Sequence, residues 1–355
     1  MRIAIVGATG NVGTALLRTL QSAGGHQLTG IARRVPPMQA PYSGVIWHRI
    51  DVSRSQAAAR LEDVFSGIDC VVNLAWAFQP ARDIDYLRRI GVGGLAAILT
   101  AAGSAGVPHL VHMSSVGTYS AAPRGRVVDE SWPTAGIPEL AYSVHKAAAE
   151  ALLDRHDATG TGPAVCRLRP GLVMQREAGS ALLRYGLPAL LPAVALDLVP
   201  FLPLDRTFAV PVVHARDVGS AVAAAVVRRA VGAFNLSTAT PLTPEVLGAA
   251  LGARPVHVPW KLLRAAVSIG WNLRLERLDP GWIDLAFSVP LINSDRARTE
   301  LDWHPVVDTR TAIREAVVGM RNALSTSSAP LRARSVAAEL QTLVRSGPIT
   351  RRPLP

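Results

Sequence analysis

A chain of 355 residues, 49% hydrophobic and 18% charged, has a globular composition, long enough to bury a sizeable core and too apolar for a disordered protein. Its net charge of +11 comes almost wholly from arginine, because Lys146 and Lys261 are its only two lysines. The arginines are scattered, without runs or interleaved aromatics, so no nucleic-acid partner is expected.

Two cysteines, Cys70 and Cys166, lie in apolar runs without CxxC spacing, which argues against a disulfide scaffold or metal site and fits a reducing compartment. The opening MRIAIVGATG lacks the basic-then-apolar pattern of a secretory signal, and a cytoplasmic protein is expected. The most apolar region, 182–204, is interrupted by Pro188, Pro192, Asp197, Pro200 and Pro203, and is not read as an integral membrane segment.

Along the chain, β-branched runs predict strands at 2–6, 27–32, 45–49, 70–74, 109–114 and 164–169. Amphipathic segments at 12–22, 84–105 and 142–156 predict helices between them. Short strands joined by helices imply parallel pairing through right-handed crossovers. The expected fold class is therefore α/β, a Rossmann-type doubly wound parallel sheet over residues 1–170. Residues 171–324 are read as a smaller C-terminal substrate domain, with segments at 209–213 and 233–236 returning to the sheet. An Arg-rich tail, 325–355, follows, with one short helix expected around 336–344.

The segment from Ile3 to Gly13 runs from a strand through Gly-x-x-Gly-x-x-Gly into a helix. Gly7 permits the tight turn, Gly10 lets the backbone approach a pyrophosphate, and Gly13 lets helix and strand pack closely. Amides of Thr9, Asn11 and Val12 at the helix start would attract phosphate charge. The second strand ends in Arg33 and Arg34 with no carboxylate, and a guanidinium there suits a 2′-phosphate, so NADP is favoured over NAD. Asp51 and Val52 follow the third strand, where a carboxylate could meet the adenine. Leu74 and Ala75 close the fourth, near the cofactor's middle.

Tyr142 and Lys146 are four apart, on one face of a predicted helix. A phenol is a poor base at neutral pH, and a nearby ammonium lowers its pKa so that it can exchange a proton with a substrate oxygen. The same ammonium could donate to the cofactor ribose. Ser114 or Ser115, at the end of the fifth strand, offers a hydroxyl to share charge on that oxygen. His145 lies off the Tyr–Lys face and is read as packing, and Trp260, Trp271, Trp282 and Trp303 as core builders or the lining of an apolar pocket.

These pieces resemble an extended short-chain dehydrogenase/reductase of the NAD-dependent epimerase/dehydratase type. The matching segments are GATGNVG from Gly7, NLAW from Asn73, HMSSVGTYS from His112, YSVHK from Tyr142, RPGLV from Arg169 and VVHARDVGSAV from Val212. The resemblance implies Tyr142 as acid/base, Lys146 as its partner and ribose ligand, and Ser115 as the third catalytic member. It also implies a nicotinamide contact from the loop after Pro170. One departure stands out: where the family commonly carries Asn before a V-x-G pattern, this chain has Gly91, which alters the expected proton relay. Dehydration is not expected, because no acidic residue follows Ser115 closely.

The expected function is hydride transfer at a hydroxyl or carbonyl carbon of a small molecule, with the apolar stretch 187–204 favouring an apolar substrate. The alternatives are a sugar-nucleotide epimerase of the same family and a non-catalytic NADP-sensing regulatory protein. A homodimer is compatible with the sequence.

Overall fold

Ile3 and Ile5 face one side of strand β1 (Arg2–Val6), Ala4 and Val6 the other, and all four are buried. A strand buried on both faces must sit inside a sheet covered by helices on each side. A computed structural model shows that arrangement, and describes residues 1–77, 83–186, 193–273 and 278–335, together with residue 341.

The central sheet joins β1 to β2 (Gln27–Ala32), β3 (Ile46–Arg49), β4 (Cys70–Asn73), β5 (His109–Met113), β6 (Ala164–Pro170) and β7 (Gly232–Leu236). These seven strands lie in the order β7-β6-β5-β4-β1-β2-β3, and every pairing is parallel. On one face, Leu16, Leu17 and Leu20 of α1 (Asn11–Ala23) pack against Ile3, Ile5, Val72 and Val111. The apolar side of a later helix (Ala215–Arg228) completes that layer. On the other face, α2 (Ala57–Phe65), α4 (Gly94–Ser104) and α5 (Ala141–Thr159) cover Ala4, Val6, Val71 and Leu110.

The helix expected over 84–105 is broken. It runs as α3 (Ile84–Arg88), a π-helical turn (Arg89–Gly93) and then α4. Gly91, Gly93 and Gly94 lie in or beside the turn, and glycine lowers the cost of leaving α-helical geometry. Two of them are also demanded by packing. A Cβ at Gly94 would lie 2.8 Å from Val52, and one at Gly91 would lie 2.8 Å from the Trp76 ring.

After β6 the chain builds smaller parallel pairs. Val212–His214 pairs with Leu172–Met174, so of the two segments expected to return to the central sheet only β7 does so. Phe201–Leu204 pairs with Arg254–His257, and Leu291–Ile292 with Val127–Val128. Asp217 fastens this region: its carboxylate accepts the Val306 and Val307 amides at 3.1 Å, while its carbonyl accepts the Trp303 indole at 2.7 Å. The segment after 324 returns to the glycine turn. The Ser328 hydroxyl donates to the Thr9 carbonyl at 2.9 Å, and Thr326 reaches Tyr42, which reaches Thr14, each at 3.0 Å. The helix expected around 336–344 and the apolar positions 187–192 lie outside the described residues, apart from Gln341. Among those described, no helix is long and apolar enough to cross a membrane.

The sheet order reverses between β1 and β4, and ligands of open α/β sheets bind beyond the strand ends at such a point. Gly13 sets the approach of α1 to this edge, since a Cβ there would lie 2.6 Å from backbone atoms of Ala8 and Gly7. Gly13→Val is expected to cost about 1–3 kcal/mol through overpacking. A urea midpoint equal to that of the parent would contradict this.

Candidate active site

The glycine turn is built by contact with the end of β4. Gly7 has φ +84, and a Cβ on it would lie 2.7 Å from the Ala75 amide and 2.8 Å from Leu74. Gly10 begins α1 with no side-chain cap, and the first turn of the helix has no acidic residue. The start of α1 thus carries neither a capping side chain nor a negative charge of its own, which fits a pyrophosphate. Asn11 is drawn toward the region after β6: its amide donates to Val173, while Gln175 donates to its backbone and side-chain oxygens at 2.9 and 2.5 Å. Val12 packs against the core on the same face as Ile3.

At the end of β2, Arg33 is half-buried and donates to the Tyr86 hydroxyl at 2.5 Å, and Arg34 is exposed. Asp51 is turned to local use, accepting from the backbone and hydroxyl of Ser53 at 3.0 and 2.7 Å, and Val52 is buried against Gly94. The Asn73 side-chain carbonyl oxygen accepts the Ala75 amide at 3.1 Å and so shapes the loop that carries Leu74, Ala75 and Trp76. Pro170 ends β6 and is buried.

The Tyr142 ring and the Ser115 hydroxyl both border Gly117, where a Cβ would lie 3.1 Å from the ring and 3.4 Å from the hydroxyl, and Ser115 accepts the Gly117 amide at 3.0 Å. Ser114 turns the other way and donates to Glu150 at 2.5 Å. Tyr142 sits among rings, with Trp282 tilted against it at 5.1 Å and Trp76 edge-on at 6.3 Å. The loop bearing Trp76 is the one against which Gly7 packs, so the phenol and the glycine turn border one region.

Lys146 is buried, and its ammonium donates to the Met113 carbonyl at 2.8 Å. It lies 3.6 Å from the centre of the Trp76 ring and 6.0 Å from that of Tyr142. Burial pushes the Tyr142 phenol up to about 12, with the Ser115 hydrogen bond working in the opposite direction. The expected lowering of the phenol by its ammonium is thus not the electrostatics of this arrangement, because the amine is directed at a carbonyl and an indole. Burial pulls Lys146 itself down to about 7, and Glu150 one turn further on pulls it back up.

Glu150 anchors α5 beneath the site. Its carboxylate accepts from Arg169 at 2.9 and 3.0 Å, from Arg167 at 3.2 Å and from Ser114. Burial alone would raise its pKa, but the Arg169 hydrogen bonds and charge outweigh this and hold it near 2. Spacing could have found this clamp, since Glu150 is four residues beyond Lys146 and two arginines alternate on β6. Nothing in the sequence marks Trp76 or Trp282 as neighbours of the phenol, because those contacts cross between elements.

His112 is held by Asn73 at 3.1 Å and pushed down to about 3 by burial, and His145 is buried as packing. His214 caps the helix that begins at Ala215 by accepting the Arg216 amide. Among the described residues, no group of three or more His, Cys, Asp or Glu side chains is arranged to hold a metal ion. Trp303 is core, while Trp260 stacks on Phe287.

A sequence model described as the NAD dependent epimerase/dehydratase family matches residues 3–237. No curated protein matches the chain in sequence. Among solved structures, the chain is similar to UDP-glucose-4-epimerase of Stenotrophomonas maltophila with bound NAD and formylated UDP-arabinopyranose. That pair has a TM-score of 0.69 and 18% identity, over 91% of this chain and 98% of that one. It is also similar to the UDP-glucose 4-epimerase of Thermus thermophilus in complex with NAD, with a TM-score of 0.65 and 20% identity over 91% and 100% of the chains. A third is UDP-glucuronic acid 4-epimerase from Bacillus cereus in complex with NAD, at 0.66 and 15% over 91% and 99%. At these identities the likeness is one of fold.

Removing the buried carboxylate leaves Arg169 uncompensated, so Glu150→Gln is expected to destabilise the protein by about 3–5 kcal/mol at neutral pH. A carboxylate held near 2 when folded, against 4.5 for an ordinary glutamate, stabilises the fold above about pH 4.5 and loses that contribution as pH falls toward 2. The gap between parent and variant in urea unfolding should therefore narrow over that window. A gap constant from pH 7 to pH 3 would exclude the clamp.

Proposed function

The chain belongs to the NAD dependent epimerase/dehydratase family, a family of enzymes, and from that premise we propose that it transfers hydride between a nicotinamide dinucleotide and a hydroxyl or carbonyl carbon. The observation carrying this reading is that Ser115, just beyond the end of β5, lies with Tyr142 around Gly117, Tyr142 being on the helix that also bears Lys146. When bound, the nicotinamide supplies the hydride acceptor or donor. Gly7, Thr9, Gly10, Asn11, Val12 and Gly13 would receive its pyrophosphate at the start of α1, with Leu74 and Ala75 closing the turn and Pro170 leading into the nicotinamide side.

The chemistry assigned to the chain is proton handling. Tyr142 gives a proton to, or takes one from, the substrate oxygen, and Ser115 donates to that oxygen as charge develops. With its phenol at about 12, Tyr142 stands protonated at neutral pH and ready to act as the acid in the reducing direction. Lys146, brought down to about 7 by burial, carries positive charge on the acid side of neutrality and in this reading donates to the ribose with a proton not given to Met113. Trp76 and Trp282 beside the phenol give the reacting oxygen an apolar surround, which supports an apolar carbonyl compound as substrate. A second reading, sugar-nucleotide epimerisation, is favoured by the fold shared with the UDP-sugar epimerases. NADP is proposed over NAD on the strength of Arg33 and the lack of a carboxylate at the end of β2.

Tyr142→Phe should lower turnover by at least about a hundredfold while leaving dinucleotide affinity within about twofold. NADPH oxidation measured across apolar ketones and UDP-sugars separates the two substrate readings, and unchanged turnover in the variant would remove Tyr142 from the chemistry. Arg33→Ala should weaken NADPH binding by about tenfold and leave NADH binding nearly unaltered. Equal losses for the two would assign the arginine a structural role.

A further inference from the structure

We propose that Trp76 is a positioning residue for Lys146, its indole face seating the ammonium against the Met113 carbonyl through a cation–π contact that Gly91 makes room for. The geometry comes from three elements. Trp76 follows the end of β4, Lys146 reaches it from α5 at 3.6 Å from the ring centre, and the Met113 carbonyl at the end of β5 takes a hydrogen bond at 2.8 Å. Gly91 belongs to the π-helical turn, where a Cβ would lie 2.8–3.1 Å from three atoms of the indole's six-membered ring. A side chain at position 91 would have to displace the ring that covers the amine. The bulged turn is kept here without the asparagine expected at that position, and the space next to it is filled by tryptophan.

A buried ammonium needs compensation, because desolvation favours the neutral amine. One carbonyl satisfies one of its three protons. The negative face of an indole offers a second attraction, strongest where water is excluded. The charged and titratable groups around Lys146 do not replace it. On α5, Glu150 is engaged by Arg167, Arg169 and Ser114, and Tyr142 is held protonated by burial. On β5, His112 is held neutral by burial and so adds no charge of its own. From β6, Arg167 and Arg169 face Glu150, whose charge draws the Lys146 pKa back up without undoing the lowering by burial.

The consequence for turnover rests on the function proposed above, in which a charged Lys146 donates to the cofactor ribose, but the seat is tested without it. With only two lysines, the protein labelled with 13Cε-lysine gives two titration curves, and exposed Lys261 serves as internal reference. Trp76→Leu keeps the site apolar and removes the aromatic face, and should move the Lys146 midpoint down by about one pH unit. Trp76→Phe should restore most of the shift, and Lys261 should not move in either. Gly91→Ala, whose Cβ pushes on the six-membered ring, should move Lys146 in the same direction and decides the matter alone if Trp76→Leu does not fold. A Lys146 midpoint unchanged or raised in the folded variants overturns the proposal. Dinucleotide affinity against pH, measured on the same proteins, should show its alkaline weakening one unit lower in Trp76→Leu. A moved midpoint with an unmoved affinity profile upholds the seat and counts against the ribose contact.

Discussion

An amine and a carboxylate one turn apart on α5 are both held out of water, and each has to be compensated by a different part of the fold. Glu150 takes the two arginines of β6, which tie the helix to the sheet at fixed height and rotation. Lys146, one turn earlier, is thereby delivered to the ends of β4 and β5, where a carbonyl and an indole receive it. Tyr142, one turn earlier again, reaches Ser115. The register of the face that carries Tyr142 and Lys146 is set from its far end, by the pairing of Glu150 with Arg167 and Arg169. A buried pair of this kind stabilises little in net terms but is costly to break, which suits a residue whose task is placement.

The second constraint is the close approach of the first turn to the fourth strand. Gly7 lies so near Leu74 and Ala75 that no side chain fits between, and the same loop then carries Trp76 across Lys146 toward Tyr142. The glycine turn and the Tyr142–Lys146 face are thus joined by three consecutive residues. Asn73, held by His112 below, orients the loop through the Ala75 amide.

Much of this was legible from residue order. Period-2 and apolar runs located all six N-terminal strands within a residue or so, because buried parallel strands leave an uninterrupted apolar signature. That Tyr142 and Lys146 share one helix, and that a glycine turn joins the first strand to the first helix, were legible because local spacing fixes which side chains share a face. What escaped had a different physical origin. Three glycines interrupt the helix after β4, and their effect depends on what packs beside them. Val212–His214 pairs away from the central sheet, a choice between partners that no single strand encodes. The phenol's high pKa and the ammonium's orientation follow from burial and from Trp76, both properties of the assembled site and not of the Tyr–Lys spacing.

The hydroxyls of Thr326 and Ser328 reach back across most of the chain to fasten the glycine turn and its neighbours. Contacts of such separation carry a large loop-closure entropy and cannot close until the last of their residues has been made. During synthesis the glycine loop therefore leaves the ribosome long before the residues that latch it, and its finished shape waits for their arrival. The glycine turn, among the earliest segments made, thus takes its last fastening from some of the latest.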